Sequence, residues 1–453
     1  MQAWGVPGAA IAIVRGDKVE YAKGYGFRES GKDSRVTTDT TFAIGSTTKA
    51  FTAAAIAMLV DEGKMAWDDP VRKHIPWFHL YDPAADQLVT IRDLLSHRTG
   101  LSRNDLLWYA SPWDREELIR RLAYVKPSRP FRAAWQYNNL MFLTAGYAVG
   151  RVADTSWEGF VQRRIFDPLA MKTATFHVED AQKQADHATG HALRQVKAVA
   201  VPWRNIDNIG PAGSINASVN DLASWVRLQL NGGVFNGKRL ISAANLAEMH
   251  TPQMAMRPDD WGRSWNPETR QMTYGLAWTI HDYRGRHIVS HGGAIDGFRA
   301  NITLVPDEKL GIVVLSNLGQ ENMPEALRWT LIDIAAGLTR RDWDSELRAH
   351  FKAESDEAQA AARKVQESRK SDTKPSLPLA QYAGEYFDAG YGTVKIAEEK
   401  GRLLISWSSV SGALEHFHFD TFRGPGSTVQ FRLSADANVQ SLTFQGVDFI
   451  RKQ

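Results

Sequence analysis

The order of strand-like and helix-like segments constrains this fold more than any other feature of the sequence. Alternating apolar positions predict a β-hairpin over residues 9–26. Strand patterns return at residues 288–306 and 312–317, whereas residues 64–270 alternate amphipathic helices with long loops. One sheet that joins both groups of strands buries them most economically. We therefore predict an α/β (α+β) fold, with an antiparallel sheet flanked by helices and a second, mostly helical lobe.

The last quarter of the chain has a different character. Residues 341–378 form a charged, alanine-rich helical stretch that grades into ESRKSDTKPSLP, a composition typical of a linker. Residues 379–453 alternate apolar and polar positions between turn signals, which predicts a small all-β barrel or sandwich. We expect the mixed domain over residues 1–340, followed by this linker and the β module.

The composition excludes several classes of protein. The chain has 453 residues, of which 43% are hydrophobic and 23% charged, so it can bury a large core. It contains no cysteine, which excludes disulfides, thiolate metal sites and a cysteine nucleophile. The net charge is +3 without a dense block of Lys and Arg, so nucleic acid is not an expected partner. No apolar run reaches the roughly 18 residues of a membrane span, and the oligomeric state stays open.

The stretch AIGSTTKAFTAAAIAMLVDEG places Ser46 in the first turn of a predicted helix, three residues before Lys49. Residues at this spacing face the same side of a helix, so the lysine amine can reach the serine hydroxyl. Burial lowers the pKa of a lysine and lets it accept a proton, which is what a serine nucleophile needs. Serine is also a favoured N-cap, and this pattern alone favours the capping role.

Two further stretches add candidate groups. The sequence WQYNNLM separates Tyr137 and Asn139 by two positions in a loop before a helical run, where a phenol can move a proton and an amide can hold a carbonyl. The sequence SHGGAIDGF places His291, Gly292 and Gly293 in a strand. Adjacent glycines weaken a strand, so we expect another backbone or a ligand to approach closely there.

These three stretches, taken in this order, resemble the motifs of the serine β-lactamase and penicillin-binding-protein superfamily, which are Ser-x-x-Lys, Tyr-x-Asn and a Lys/His-Thr/Gly-Gly strand. Other segments extend the resemblance to its class C β-lactamase-like branch over about residues 5–340, among them VPGAAIAIV, IRDLLSHRTGL and PAGSINASVNDLASWV. The C-terminal module resembles the lipocalin-like β domain that often accompanies such hydrolases. No Gly-x-Ser-x-Gly elbow is found, which argues against an α/β-hydrolase.

The resemblance implies a catalytic role for each matching residue. Ser46 is then the nucleophile that forms an acyl-enzyme, and Lys49 and Tyr137 share its proton, with Tyr137 as the partner in deacylation. Asn139 orients the substrate amide or ester. The backbone N–H groups of Ser46 and Ala294 form the oxyanion hole.

The resemblance also places His291 among the catalytic residues, but this position departs from the family pattern. Many β-lactamases have a lysine there, which pairs with the carboxylate of the substrate, whereas His291 is mostly neutral near pH 7. The histidine variant resembles the branch of esterases, D-amino-acid peptidases and amidases. We therefore expect a serine hydrolase of small-molecule or peptide ester or amide bonds. An acyltransferase or peptide cyclase is one alternative, and a weak β-lactamase or a penicillin-binding protein is another.

Some predictions are less specific. Trp203, Trp261 and Trp265 lie in loops and are expected to shape the substrate pocket together with Gly292 and Gly293. His187 and His191 have a spacing that zinc can use on a helix, but no third ligand is tied to them, so no metal or cofactor is expected. Relatives of this type are mostly exported, so a periplasmic or secreted protein is expected, and the cytoplasm stays open.

Overall fold

The computed structural model describes residues 1–195, 197–257 and 266–452. They form two compact units that are discontinuous in sequence. The first unit comprises Met1–Phe78, Asp82–Arg103 and Lys126–His350. The second comprises His79–Tyr81, Asn104–Val125 and Phe351–Gln453. In the part of the chain described, no helix combines the length and apolar character needed to cross a membrane.

An antiparallel eight-stranded sheet dominates the first unit, and short two-stranded sheets accompany it. The strands of this unit are β1 (Gly8–Arg15), β2 (Lys18–Gly26), β3 (Phe42–Ala43), β4 (Gly190–Arg194), β5 (Lys197–Val201), β6 (Asn216–Ala217), β7 (Val234–Phe235), β8 (Lys238–Arg239), β9 (Met254–Ala255), β10 (Met272–Tyr274), β11 (Thr279–Tyr283), β12 (Arg286–Ile295), β13 (Phe298–Val305) and β14 (Leu310–Ser316). The order in the large sheet is β2-β1-β14-β13-β12-β11-β10-β9. The first hairpin therefore pairs with the last strands, which confirms the predicted mixed fold.

Helices of the first unit pack on this sheet and form the lobe beside it. They are α1 (Thr48–Asp61), α2 (Val71–His74), α3 (Pro83–Leu88), α4 (Ile91–Leu95), α6 (Asn139–Val152), α7 (Trp157–Val161), α8 (Asp167–Leu169), α9 (Val178–Lys183), α10 (Gly210–Gly213), α11 (Val219–Leu230), α12 (Ala243–Met249) and α13 (Met323–Ala335), while α5 (Arg115–Arg121) lies in the second unit. Helix α14 (Trp343–Glu367) begins in the first unit and ends in the second.

The sheet differs from the sequence prediction at one turn. The stretch 288–306 was predicted as one strand, but β12 and β13 form a hairpin in which Ile295 pairs with Phe298. The turn is Asp296-Gly297, and Gly297 has a φ of +82°, a conformation that glycine adopts without steric cost. An Asp-Gly pair between apolar stretches is a strong hairpin signal, and it identifies this turn from sequence.

The second unit contains a closed eight-stranded barrel, which agrees with the predicted all-β module. Its strands are β15 (Gly384–Asp388), β16 (Gly392–Glu399), β17 (Arg402–Trp407), β18 (Val410–His418), β19 (Thr421–Gly424), β20 (Ser427–Leu433), β21 (Val439–Phe444) and β22 (Val447–Arg451). Aromatic side chains fill much of its interior, where Tyr382 and Phe422 pack edge-to-face on Phe431. Residues Asn104–Val125, which the sequence placed in the mixed domain, belong to the unit that contains this barrel.

Candidate active site

Ser46 lies in a short 3-10 turn, Gly45–Thr47, that leads directly into α1. The helix is buried from Thr48 to Leu59, and both its alanines and its larger apolar side chains lie inside. Gly45 has a φ of +51°, and a Cβ on it would come within 2.7 Å of the Ala294 backbone nitrogen. The turn and β12 therefore approach each other at the level of the backbone, and glycine at position 45 makes this approach possible.

Two side chains donate hydrogen bonds to the hydroxyl oxygen of Ser46. The Lys49 ammonium lies 3.0 Å from Ser46 Oγ, and the Tyr137 hydroxyl lies 2.6 Å from the same atom. Lys49 is fully buried, and its Nζ also donates to Asn139 Oδ1 at 2.7 Å and to the Ala212 carbonyl at 2.8 Å. The acceptors that surround this ammonium in these contacts are neutral oxygens.

The start of helix α6 positions the second motif. Asn138 is its N-cap, and its side-chain oxygen accepts the backbone N–H groups of Leu140 and Met141 at 2.8 and 3.2 Å. This cap fixes the backbone between Tyr137 and Asn139. Asn138 itself has an extended conformation, and its side chain is tied to the first turn of the helix that follows. The phenol of Tyr137 then reaches Ser46, and the amide oxygen of Asn139 accepts from Lys49.

The two adjacent glycines of β12 have different surroundings. A Cβ on Gly293 would lie 1.9 Å from the carbonyl oxygen of Ile44, whereas a Cβ on Gly292 would meet no atom closer than 3.9 Å. The expected close approach of another backbone therefore occurs at Gly293. With Ser46, Gly292 and Gly293, Ala294 lines a pocket of about 240 Å³, so the two residues expected to form the oxyanion hole border the same opening.

Both ring nitrogens of His291 form hydrogen bonds within the protein. Its Nδ1 donates to the Gly292 carbonyl at 2.6 Å, since a carbonyl can only accept, and its Nε2 accepts from the Tyr274 hydroxyl at 2.9 Å. Burial and the nearby Lys49 lower the pKa of His291 to about 3, so the ring is neutral at physiological pH. Burial raises the pKa of Tyr274 well above its ordinary value, which keeps its hydroxyl protonated. His291 does not line the Ser46 pocket.

His97 is a component of this site that the sequence reasoning did not identify. It is fully buried and has a φ of +58°, and its ring lies 4.4 Å from that of Tyr137 between centroids. Its Nδ1 accepts the backbone N–H of Asn138 at 3.1 Å. Burial, and then Lys49, lower the pKa of His97 well below its ordinary value. The stretch SHRTGL was noted within the resemblance, but nothing in its local pattern indicates a contact with Tyr137.

Four charged residues of the pocket were also missed. Arg103, Arg299, Glu321 and Glu325 all line the opening at Ser46. They come from three separate segments, and single charged residues in a loop, near a strand end or in the first turn of a helix carry no sequence signal for a shared pocket. Burial raises the pKa of Glu321 to about 7, although Ser316 and the backbone of Met323 donate hydrogen bonds to its carboxyl.

Trp203 and His191 do not line this pocket. Trp203 packs edge-to-face on Phe298 at 4.6 Å between centroids and donates its indole N–H to the Ala188 carbonyl. Trp261 and Trp265 lie outside the described residues. His191 accepts the Ser30 backbone N–H and contacts the Asn317 carbonyl, and no cluster suited to a metal occurs within residues 1–195, 197–257 and 266–452.

The mixed sheet, the helical lobe and the serine at the start of a buried helix define the fold that β-lactamases share with penicillin-binding proteins. The chain belongs to the beta-lactamase family, whose sequence pattern it matches over residues 1–337, and it is a hydrolase. Residues 368–452 match a domain of unknown function, DUF3471.

Curated relatives extend over much of the chain. The unguisins hydrolase ungD of Aspergillus violaceofuscus is 31% identical over 428 residues, which cover 87% of this chain and 74% of the relative. The protein flp of Staphylococcus aureus is 28% identical over 329 residues, which cover 71% of this chain and 61% of flp.

Solved structures share the fold at lower identity. An octameric penicillin-binding protein homologue from Pyrococcus abyssi aligns with a TM-score of 0.66 and 22% identity, covering 100% of this chain and 97% of that one. A D-stereospecific amidohydrolase from a Streptomyces species aligns with a TM-score of 0.58 and 24% identity, covering 71% of this chain and 92% of that one.

Proposed function

We propose that this protein cleaves ester or amide bonds through an acyl-enzyme formed on Ser46. The observation that carries the proposal is the pair of donors on Ser46 Oγ, Tyr137 at 2.6 Å and Lys49 at 3.0 Å. A serine hydroxyl is a weak nucleophile unless a neighbouring group can take its proton. Tyr137 and Lys49 both lie within the distance that proton transfer requires.

In the proposed acylation step, one member of the Tyr137–Lys49 pair has first lost its proton, so the pair can accept the Ser46 proton as Oγ attacks the carbonyl carbon of the substrate. The carbonyl oxygen becomes an oxyanion that the N–H groups of Ser46 and Ala294 stabilise. When the tetrahedral intermediate collapses, the bond to the leaving group breaks and that group receives a proton from Tyr137. Ser46 then carries the acyl group as an ester.

In the proposed deacylation step, water attacks the acyl carbon and gives its proton to Tyr137. The bond to Ser46 Oγ breaks, and the oxygen recovers a proton from the same pair. His291 takes no part in these transfers, because its two ring nitrogens are engaged by Gly292 and Tyr274. We assign Asn139 to holding Lys49 in place, in addition to the substrate contact that the family resemblance implies.

A carboxylesterase or a D-stereospecific peptidase or amidase fits this site best. The neutral, buried His291 removes the cation with which many β-lactamases bind a substrate carboxylate from this strand. The hydrolase name of the relative ungD and the amidohydrolase name of the Streptomyces neighbour support the same class of reaction.

The test is a screen of 4-nitrophenyl esters, D- and L-aminoacyl amides and nitrocefin, with Ser46→Ala as the control. We expect ester or amide turnover, little or no nitrocefin turnover, and a mass increase on the peptide that contains Ser46 when a slow substrate is quenched. Turnover that persists in Ser46→Ala would refute the proposal. Transfer of the acyl group to an added amine, without free acid, would favour the acyltransferase alternative instead.

A further inference from the structure

Arg299 differs in its surroundings from the other charged groups of the Ser46 pocket. It lies on β13, where it pairs with Ala294 of the proposed oxyanion hole. Its Nε is buried and makes no hydrogen bond to any residue that the structure describes. A buried donor on a charged group without a partner is costly, so such a group is a candidate for contact with a ligand.

The two carboxylates nearest to Arg299 in the pocket are engaged elsewhere. Glu325 accepts from Asn301 Nδ2 at 2.9 Å and pairs with Arg328 at 2.6 Å. Glu321 accepts from Ser316 Oγ at 2.6 Å and from the Met323 backbone N–H at 2.5 Å. Because burial raises the pKa of Glu321 to about 7, part of its population is uncharged near neutral pH. Neither carboxylate therefore neutralises Arg299 by a direct hydrogen bond.

A second cation adds to the positive charge of the opening. Arg103 also lines the pocket, and its guanidinium lies 5.0 Å from the centre of the Tyr137 ring. Arg103 and Arg299 therefore place two guanidinium groups at the opening next to Ser46, where Glu321 and Glu325 supply the carboxyl groups. Both carboxyls act on Arg299 through space, whereas His291 contributes no charge.

We propose that Arg299 binds a carboxylate of the substrate and makes this hydrolase selective for anionic esters or amides. This inference rests on the proposed function, since it concerns the substrate that acylates Ser46. The planar guanidinium can make two parallel hydrogen bonds to a carboxylate, and its buried Nε becomes one of the two donors. A pocket of about 240 Å³ accommodates a short carboxylate-bearing substituent near the scissile carbonyl.

The experiment compares two matched pairs of substrates. The 4-nitrophenyl monoester of glutaric acid and its methyl ester differ by one charge in the acyl group. N-acetyl-D-alanyl-glycine and its C-terminal amide differ by one charge in the leaving group. Spontaneous hydrolysis is subtracted with the Ser46→Ala protein. The measured quantity is the ratio of kcat/KM for the charged member to that for the neutral member.

We expect the unaltered protein to favour the charged member of at least one pair by about tenfold, the value of one charge-assisted hydrogen-bonded contact. Arg299→Gln should abolish this preference, and Arg299→Lys should retain part of it because the charge remains. The control Arg35→Gln removes the same charge from an exposed side chain and should leave the ratio unchanged.

Two results overturn the inference. They are the absence of a preference in both pairs and a preference that survives in Arg299→Gln. An equal loss in Arg299→Lys and Arg299→Gln would support the two-donor geometry of the guanidinium, because lysine keeps the charge but lacks that geometry. Failure of the proposed function would give a different result, because turnover would then persist in Ser46→Ala.

Discussion

Gly293 lies so close to Ile44 that a Cβ at position 293 would come 1.9 Å from the Ile44 carbonyl oxygen. Ile44 stands two residues before Ser46, so this contact sets the distance between the turn that holds the serine and the strand that carries Ala294. A side chain at position 293 must separate the two segments, because a backbone carbonyl cannot move as a flexible side chain does.

The first prediction concerns this contact. Gly293→Ala should lower the free energy of unfolding by about 1–3 kcal/mol, as overpacking of a tight interior does, and should lower kcat by widening the proposed oxyanion hole. Gly292→Ala is the matched control for stability, because its Cβ would meet no atom closer than 3.9 Å. Thermal unfolding of both variants measures the difference, and equal melting temperatures would contradict the prediction.

The second prediction concerns Tyr137. Tyr137→Phe keeps the ring that packs on His97 and removes the hydroxyl 2.6 Å from Ser46 Oγ. We expect kcat to fall by about 10²–10⁴-fold, the usual contribution of a proton-transfer group. If the phenol acts mainly in deacylation, rapid-quench mass spectrometry should also detect acyl-enzyme that accumulates on Ser46.

Tyr386→Phe is the control for this substitution, since the Tyr386 hydroxyl donates to the Tyr382 carbonyl within the second unit. It should leave kcat unchanged. A Tyr137→Phe protein as active as this control would argue that Lys49 alone serves Ser46.

The third prediction concerns acid stability. Burial, and then the nearby Arg328, lower the pKa of His281 to about 3, whereas an unfolded histidine titrates near 6.5. Between these two values the unfolded state binds a proton that the folded state does not, so stability falls as the pH drops from about 6.5 toward 3. At pH 5 the loss from this one residue is about 2 kcal/mol.

His281→Gln tests this linkage, because glutamine does not titrate and can still contact Ser290, which lies 3.3 Å from His281 Nε2. Unfolding of both proteins is followed at pH 7.5 and at pH 5.0. The variant should lose about 2 kcal/mol less than the unaltered protein between these conditions. The same loss in both proteins would mean that His281 has an ordinary pKa.

The sequence predicted the parts of the site that lie in local motifs. Ser46 and Lys49 share one helical turn, so their contact follows from spacing. The family resemblance predicted that Tyr137 and Ala294 act together with Ser46, and all three line the same pocket. His97 and Arg299 were missed because their roles depend on neighbours that are distant in sequence, and a lone histidine or arginine has no pattern that indicates those neighbours. The family resemblance predicted a catalytic role for His291, but no sequence pattern indicates the hydrogen bond between its Nε2 and the Tyr274 hydroxyl.

The domain to which residues Asn104–Val125 belong also depends on contacts with residues that are distant in sequence. It matches the beta-lactamase family in sequence, yet it belongs to the unit that contains the barrel. The contacts that hold it there join residues more than 260 positions apart. Asn104 donates to the Tyr391 hydroxyl at 2.8 Å, and Arg121 donates to the Gly390 carbonyl at the same distance.

The last prediction follows from these contacts. A chain that ends at residue 367 lacks the barrel, so residues 104–125 lose the partners of Asn104 and Arg121 and the backbone of Gly392 that lies against Trp113. We expect faster amide hydrogen exchange in residues 104–125 of the truncated chain, because local opening costs less when packing partners are removed. Helix α6 is the internal control and should exchange at its original rate. Unchanged exchange in residues 104–125 would show that this segment is ordered without the barrel, and faster exchange in α6 as well would mean that the truncation disturbs the whole chain.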